Sequence, residues 1–406
     1  MEKENKAFCI LPWIHAQVRQ NGDVYPCCRV KHRYSYGSTL EKPLAEIWNS
    51  DEIKKVRKEM LSGISQSFCS DCHTTEDLGS ESYRQMVNKD YKNEASRIAQ
   101  TAPDGHLDNN DIIYLDIRFS NVCNFKCRSC SPESSNSWFD EYQKIYKGTD
   151  VQKRTFKLSE SKTALSDIEK LLPKIHKIYF AGGEPLLDEN HYKLLEKLIE
   201  LNRTDVHIFY NTNLSHLTFK NWKVLHLWKK FKFIKISASI DATGPALELV
   251  RKGAVWDDIV SNLVKIRTFN PEVMIQIYPT VSLMNCYLLP ELIGYFIDHS
   301  YIKVVRNFEL NLLNDPEYLN VSVLNSVEIE SLAEKYRLFS ESIKSKVSEE
   351  ILSHIKSELS RVITFAKHQD LTQMRTAFKK FTFTLDKLRN EKTAQVIPEL
   401  FNLLYE

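Results

Sequence analysis

The chain has no long apolar run and no strong charge of either sign. No stretch reaches the roughly 18 apolar residues that a membrane-spanning helix needs. The opening "MEKENKAFCILPW" lacks an apolar segment of signal-peptide length behind a basic region. The formal net charge of the 406 residues is only +2, so the overall balance predicts no polyanionic partner. These absences favour a cytoplasmic protein that binds neither membranes nor nucleic acids.

No internal repeat, low-complexity tract or phosphate-cradling glycine loop is present in the sequence. The hydrophobic fraction of 42% is nevertheless ordinary for a globular protein. A chain of 406 residues is long enough for a large core distributed over two or three structural units.

Cysteine, by contrast, is abundant and clustered. Five thiols precede residue 80, three lie within "NVCNFKCRSC" (121–130), and Cys286 stands alone. In a reducing cytoplasm, clustered thiols favour metal binding over a disulfide framework. A lone cysteine commonly behaves as a small buried hydrophobe, so we predict that Cys286 packs in the core.

From residue 112 onwards, short segments rich in β-branched and aromatic residues indicate buried strands, with helical patterns between them. The alternation predicts a parallel sheet of βα units, either a partial barrel or an open doubly wound sheet. Six units are too few for a complete eight-stranded barrel. The predicted strands are 112–119, 175–182, 206–211, 233–240, 273–281 and 302–310, and the predicted helices are 189–202, 256–269 and 288–299.

The sequence therefore divides into four parts. Residues 1–85 are irregular and cysteine-bearing, with one amphipathic helix over 44–61. Residues 86–111 are polar and predict a linker, and residues 112–315 hold the βα units. The remaining residues, 316–406, are helical with a structural role. Their predicted packing face consists of Leu332, Tyr336, Leu338, Phe339 and Ile343.

Cys123, Cys127 and Cys130 form a C-x3-C-x2-C pattern directly after the first predicted strand. Zinc sites usually have four protein ligands, or three and a water, whereas iron–sulfur clusters normally use four cysteine thiolates. The loop that follows a strand in a βα barrel opens on the face where active sites lie. Three thiolates on a four-iron cluster would leave one iron without a protein ligand and open to chemistry.

This pattern resembles the signature of the radical S-adenosylmethionine (SAM) superfamily. The resemblance implies a [4Fe–4S] cluster whose unique iron is chelated by the amino and carboxylate groups of SAM. One electron, originating from an external reductant such as flavodoxin or ferredoxin, then cleaves SAM to methionine and a 5′-deoxyadenosyl radical, which abstracts hydrogen from the substrate. The superfamily usually has an aromatic residue before the third cysteine, where this chain has Ser129.

A second element of the resemblance is "AGGEPLL" (181–187), which follows the second predicted strand. Glycines let the backbone approach a ligand closely. In the superfamily such a segment holds the SAM amino group, which implies this role for Gly182, Gly183 and Glu184. Without the cysteine loop one βα unit earlier, the segment would be interpreted as an ordinary strand-to-helix turn.

Weaker matches follow the later strands. Ser239 ends the fourth predicted strand and Arg251 comes twelve positions later. In related enzymes a serine and an arginine so placed contact the SAM ribose and carboxylate, and the arginine fork suits a carboxylate. The alternatives are a strand-end serine and a solvated arginine. Asn211 and Asn213 close the third strand and either line the pocket or simply end the strand.

The amino-terminal cysteines resemble the SPASM/Twitch accessory domains of radical SAM enzymes. The opening pattern of these domains is a cysteine, a gap, a glycine, four residues and a cysteine, which Cys9, Gly22 and Cys27 fit. The resemblance implies that Cys69 and Cys72 complete an auxiliary [4Fe–4S] site. The small number of cysteines favours the single-cluster Twitch type.

Two alternatives remain at this second site. The tandem pair Cys27–Cys28 offers five thiols for four places, and the glycine spacing favours Cys27. Zinc is the alternative metal, because soft thiolates accept both zinc and iron–sulfur clusters. In most relatives this domain follows the barrel, whereas here it precedes it.

The predicted fold is an α/β partial (β/α)6 TIM-like barrel with a small cysteine-rich N-terminal domain and a helical C-terminal extension. The predicted function is a radical SAM enzyme that abstracts hydrogen from a peptide, a protein or a small molecule, with the auxiliary cluster aiding oxidation or substrate positioning. Peptide modification is the leading class, and a sugar or another small metabolite is the alternative. A non-enzymatic iron–sulfur or zinc protein is the rival from another class, but it would need neither the Gly-Gly-Glu loop nor a barrel.

Overall fold

The computed structural model describes residues 5–30, 34–77, 81–109, 111–146 and 154–406; Asn110 of the predicted linker lies outside them. The chain folds into two compact units, each assembled from separate stretches. The first unit contains Met1–Asn121, Thr155–Phe209 and His226–Phe233. The second unit contains Val122–Arg154, Tyr210–Leu225 and Ile234–Glu406. Among the described residues, no helix has both the length and the apolar character that a membrane crossing requires.

The strands are short, and most are followed by a helix or a tight turn. In chain order the strands are β1 His15–Val18, β2 Asp23–Tyr25, β3 Gly37–Ser38, β4 Tyr114–Ile117, β5 Lys126–Cys127, β6 Lys177–Phe180, β7 His207–Thr212, β8 Thr218–Phe219, β9 Trp222–Lys223, β10 Ile234–Ala238, β11 Arg251–Lys252, β12 Met274–Ile277, β13 Thr280–Val281 and β14 Asn311–Leu312.

The helices connect the strands and form the C-terminal part of the chain. They are α1 Leu11–Ile14, α2 Leu44–Ile47, α3 Asp51–Leu61, α4 Ser70–Asp77, α5 Tyr83–Asp90, α6 Ala95–Ile98, α7 Phe139–Ile145, α8 Ala164–Leu171, α9 Glu189–Glu200, α10 Val224–Trp228, α11 Gly244–Val250, α12 Trp256–Phe269, α13 Leu289–Asp298, α14 Ser326–Ser342, α15 Glu349–His368, α16 Arg375–Arg389, α17 Thr393–Val396 and α18 Phe401–Tyr405.

The largest sheet has the strand order β12-β10-β7-β6-β4-β1-β2-β3. The pairs β1–β4, β4–β6 and β10–β12 are parallel. From β4 to β12 the neighbours follow chain order without a reversal, whereas a doubly wound sheet reverses its order at a switch point. The order is therefore that of a partial barrel, and it confirms the predicted fold class.

The N-terminal segment contributes a strand to this sheet, which the sequence did not predict. In the first unit β1 lies beside β4, with Gln17 opposite Asp116. The alternate residues Leu115 and Ile117 are fully buried on the apolar face of β4. The other face is polar, and there Gln17 Nε2 donates to Asp116 Oδ2 at 2.7 Å.

The predicted strand over 302–310 is wrong. This segment instead contains a 3-10 turn at Val305–Asn307, followed by an isolated bridge between Phe308 and Ile277. The Asn307 side chain causes the difference, because its Oδ1 accepts the backbone N–H groups of Lys303 and Val304, each at 3.1 Å. The strand follows later, as β14, which pairs in parallel with β13.

The predicted helix over 44–61 is also wrong as a single element, because it is interrupted between α2 and α3. The Ser50 backbone is extended (φ −63°, ψ 162°) and its hydroxyl donates to Tyr36 O at 3.0 Å. The Arg57 guanidinium donates to Trp48 O at 3.0 Å and so satisfies a carbonyl at the end of α2.

Helix α5 begins before the predicted linker and extends into it, and it opens with a capping box formed by Ser82 and Gln85. Arg84 and Val87 on this helix are buried, so the segment packs as part of the first unit. In the C-terminal part, the helical prediction is confirmed. Leu338, however, is 54% exposed and does not share the buried face of Tyr336, because residues two apart lie on different sides of a helix.

Candidate cofactor sites

The cysteine loop of the second unit is fixed by side-chain amides. Asn213 Nδ2 donates to Asn124 Oδ1 at 3.0 Å, and Asn124 Nδ2 donates to Ser215 Oγ at 3.0 Å. Asn213 therefore contacts the middle of the loop. Asn211 lies in β7 with a buried Oδ1 that has no hydrogen-bond partner among the described residues.

Hydrogen bonds fix the backbone around the cysteines of this loop. Cys127 lies in β5, and its carbonyl accepts Cys130 N–H at 3.0 Å and Trp138 Nε1–H at 2.7 Å. Cys123 Sγ accepts Phe125 N–H at 3.4 Å, a contact that suits a ligating thiolate. None of the nine cysteines forms a disulfide, so disulfide bonding does not occupy their sulfur atoms.

The electrostatic environment suits a metal better than a free thiolate. Burial raises the pKa of Cys127, although the nearby Arg251 guanidinium lowers it. Burial, and then the neighbouring Cys127, raise the pKa of Cys130 to about 12. At neutral pH both thiols therefore remain protonated until a metal displaces the protons. This donor set fits an iron–sulfur cluster, whose ligands are deprotonated thiolates.

The two weaker predicted ligands lie in the same unit as the cysteine loop. Ser239 directly follows β10, and its N–H donates to Thr212 O at 2.9 Å. Arg251 lies opposite Cys127 in the β5–β11 pair and is buried rather than solvated. Its guanidinium reaches Cys127 Sγ at 3.8 Å and forms an ion pair with Asp241, a residue that the sequence analysis missed.

The Gly-Gly-Glu segment belongs to the first unit and follows β6. Gly182 and Gly183 have φ angles of +75° and +46°, a region that favours glycine. A Cβ atom on Gly182 would lie 2.6 Å from Arg118 Cβ. Glu184 is buried, and its Oε1 accepts Leu186 N–H at 3.1 Å. The backbone here approaches its neighbours so closely that Gly182 has no room for a side chain.

Replacing Gly182 with alanine should therefore destabilise the protein by more than the backbone strain of a positive φ alone. We expect the free energy of unfolding to fall by about 1–3 kcal/mol more than in a control variant, because overpacking adds to the strain. Gly244→Ala is the matched control, since Gly244 also has a positive φ of +48° but no atom within 4 Å of its added Cβ. Urea denaturation measures both variants, and equal losses would contradict the close-contact argument.

The four N-terminal cysteines chosen from the sequence line one cavity in the first unit. The structure thus brings together three distant stretches of chain. Of the tandem pair, Cys27 lines this cavity. Cys28 is exposed and does not line it. The lining thiols are Cys9, Cys27, Cys69 and Cys72.

These thiols influence one another and are held by a buried ion pair. Burial, with smaller contributions from Cys69 and Cys72, raises the pKa of Cys9 to about 12, although the Leu11 backbone and Arg84 oppose the rise. Arg84 binds Glu76 on α4 at 2.6 Å and donates to Phe8 O at 2.8 Å. It therefore ties the segment that carries Cys9 to the helix that carries Cys72. Among the described residues, no group of His, Cys, Asp and Glu side chains has the arrangement of a single-ion site.

The C-terminal part of the chain holds the cysteine loop, a role that the sequence did not reveal. Arg128, between the second and third cysteines, is 0% exposed and binds Asp386 at 2.7 Å and Glu391 at 2.8 Å. Arg389 donates to Lys126 O at 2.9 Å and pairs with Glu141 at 2.7 Å. Helix α16 and the residues after it therefore clamp the loop through buried ion pairs.

Replacing Arg128 with methionine should leave both carboxylates of this clamp without their buried cation. Breaking a buried ion pair by removing one partner costs about 3–5 kcal/mol, so we expect that loss in unfolding free energy, together with poorer iron retention by the cysteine loop. Arg337→Met is the control, because Arg337 pairs with Glu334 at the surface, where solvent screening leaves the pair little net effect on stability. Denaturation and iron analysis measure both effects, and similar results for the two variants would refute the clamp.

Two family models match the chain. The SPASM iron–sulfur cluster-binding domain matches residues 9–73, and the radical SAM superfamily matches residues 117–281. The four thiols of the cavity lie within the first match. The cysteine loop, the Gly-Gly-Glu segment, Ser239 and Arg251 lie within the second. A search among curated proteins gives no significant match.

Solved structures of SuiB from Streptococcus suis are also similar to the chain. SuiB bound to the precursor peptide SuiA is 13% identical, with a TM-score of 0.39, over 72% of this chain and 64% of that chain. SuiB bound to S-adenosylmethionine is 15% identical, with a TM-score of 0.40, over 75% of this chain and 62% of that chain. The chain thus spans less than two thirds of the length of these structures.

Proposed function

Because the chain carries a radical SAM domain over residues 117–281 and a SPASM domain over residues 9–73, we propose that it is an enzyme that abstracts hydrogen from a peptide or protein substrate. Its cofactors are a [4Fe–4S] cluster with SAM and an auxiliary iron–sulfur cluster. When bound and reduced, the first cluster supplies the electron that converts SAM into methionine and a 5′-deoxyadenosyl radical.

The observation that carries this proposal is the set of three cysteines in one loop, none of which forms a disulfide. The fourth cysteine of the second unit, Cys286, is fully buried and its Sγ donates to Leu283 O at 3.8 Å within its own turn. Opposite Cys127 the chain places an arginine rather than a further ligand. We therefore assign Cys123, Cys127 and Cys130 as the ligands of three irons, with the fourth iron open to SAM.

The remaining residues divide between SAM binding and the auxiliary site. Gly182, Gly183 and Glu184 are proposed to bind the SAM amino group, the role that the resemblance to the radical SAM superfamily implies for this segment. Ser239 and Arg251 are proposed to contact SAM. The four thiols of the cavity are proposed to hold the auxiliary cluster, which then supports net oxidation or positions the substrate.

The substrate class rests on the resemblance to SPASM/Twitch enzymes, which act on peptides and proteins. The electron is proposed to come from an external reductant such as flavodoxin or ferredoxin.

Anaerobic reconstitution with iron and sulfide tests the enzymatic proposal. We expect about eight irons per chain, four in each cubane, and 5′-deoxyadenosine after addition of SAM and a reductant. A protein that binds the irons but never forms this nucleoside would contradict the enzymatic function and would instead support a non-enzymatic iron–sulfur protein.

A further inference from the structure

Arg251 is placed to contact a cluster ligand directly. In the antiparallel β5–β11 pair it lies opposite Cys127, and Arg128 N–H donates to Val250 O at 2.8 Å beside this pair. Arg251 Nη1 lies 3.8 Å from Cys127 Sγ, within hydrogen-bonding range of sulfur. Both side chains are buried, so water competes little for the contact.

A single carboxylate fixes the orientation of the Arg251 guanidinium. Asp241 Oδ2 accepts Arg251 Nε–H at 2.7 Å, and Asp241 Oδ1 accepts Nη2–H at 2.9 Å. This two-point contact uses one edge of the guanidinium. It leaves Nη1, on the other edge, directed at the sulfur.

Asp241 is itself held from two further positions. Its Oδ1 accepts Thr280 N–H at 2.8 Å, and its backbone carbonyl accepts Asn285 Nδ2–H at 2.8 Å. Asn285 also donates to Thr280 O at 3.1 Å, which closes the arrangement. Asp241 is only 1% exposed, and a buried carboxylate is costly unless such partners satisfy it.

We propose that Arg251 is a positioning residue that donates a hydrogen bond from Nη1 to the Cys127 thiolate and thereby raises the reduction potential of the catalytic cluster. This inference rests on the proposed function. Reduction adds one electron to the cluster, and a nearby guanidinium stabilises the more negative state. Hydrogen bonds to cluster sulfurs are among the factors that set such potentials. The negative charge of Asp241 opposes this effect, but it lies on the far edge of the guanidinium.

The test is a redox titration of the reconstituted full-length protein, followed by electron paramagnetic resonance without SAM. The catalytic cluster is identified beforehand as the signal that changes when SAM is added. For Arg251→Gln we expect the equilibrium constant for one-electron reduction to fall about tenfold, the effect of one hydrogen bond to a charged group, which corresponds to a potential about 59 mV lower. The signal that does not respond to SAM should keep its potential.

Two further variants separate positioning from charge. Arg251→Lys keeps the charge but loses the fork, so the potential should fall by less than in Arg251→Gln. Asp241→Asn removes a negative charge but frees the guanidinium, so positioning predicts a lower potential, whereas a pure charge effect predicts a higher one. Arg337→Gln, at the surface, is the control and should leave the potential unchanged.

An unchanged potential in Arg251→Gln, or a higher one in Asp241→Asn, would overturn the inference. If Arg251→Gln weakened only SAM binding and left the SAM-free potential intact, Arg251 would act on SAM alone and the inference would also fail. Absence of any SAM-responsive signal in the unmodified protein, despite full iron loading, would overturn the proposed function itself.

Discussion

Replacing Cys127 with alanine should abolish the formation of 5′-deoxyadenosine from SAM and remove about four of eight irons per chain. Cys127 is central in the cysteine loop, and its carbonyl contacts with Cys130 and Trp138 involve the backbone, so alanine keeps the local fold while it deletes the thiolate. Iron analysis and chromatography of the nucleoside measure the two effects.

The matched control for this variant is Cys286→Ala. Cys286 is also buried in the second unit, but it bonds within its own turn and is not assigned to a cluster. This control should keep the iron content and the nucleoside yield, with only a modest loss of stability from the missing sulfur. Full activity in Cys127→Ala would show that the loop does not hold the catalytic cluster.

Replacing Cys69 with alanine should abolish product formation but preserve the reductive cleavage of SAM. Cys69 lines the cavity of the first unit together with three other thiols, so its loss removes one of four ligands from the auxiliary site. The catalytic ligands lie in another stretch of the chain and remain intact. Nucleoside formation, iron content and the mass change of the substrate distinguish the two activities.

Cys28→Ala provides the control for this second prediction. Cys28 is exposed, and the cavity is lined by its neighbour Cys27. The control should therefore keep both the auxiliary cluster and the product. Undiminished product in Cys69→Ala would reject an electron-transfer role for the auxiliary site, and loss of the auxiliary cluster in Cys28→Ala would show that Cys28 is a ligand after all.

Most of the barrel can be predicted from the sequence, because the hydrophobic patterns of its strands and helices are local. The helix predicted over 256–269 is confirmed as α12, since a continuous amphipathic pattern with acidic residues in its first turn needs no distant partner. The segment 302–310 was misread as a strand because Asn307 closes a turn through its side chain. Its apolar residues alone gave no sign of this contact.

Some features of the candidate sites are likewise visible in the sequence, whereas others depend on tertiary contacts. The cysteine spacing and the two glycines are visible as short patterns, so the sequence could single them out. The contacts of Arg128 with Asp386 and of Arg251 with Asp241 depend on tertiary proximity, since the first pair is separated by 258 positions. The glycine spacing already favours Cys27 over Cys28 in the sequence, and in the structure Cys27 is the one of the two that lines the cavity.

The most direct test of the account concerns the iron atom that has no cysteine ligand. Electron–nuclear double resonance on the reduced cluster, with SAM that carries an isotopic label on its amino nitrogen, reports whether that nitrogen is bound to iron. We expect a clear hyperfine coupling from the labelled nitrogen in the unmodified protein and in Cys69→Ala. A reduced, fully loaded cluster that gives no such coupling would contradict the central claim that SAM binds to an iron left open by Cys123, Cys127 and Cys130.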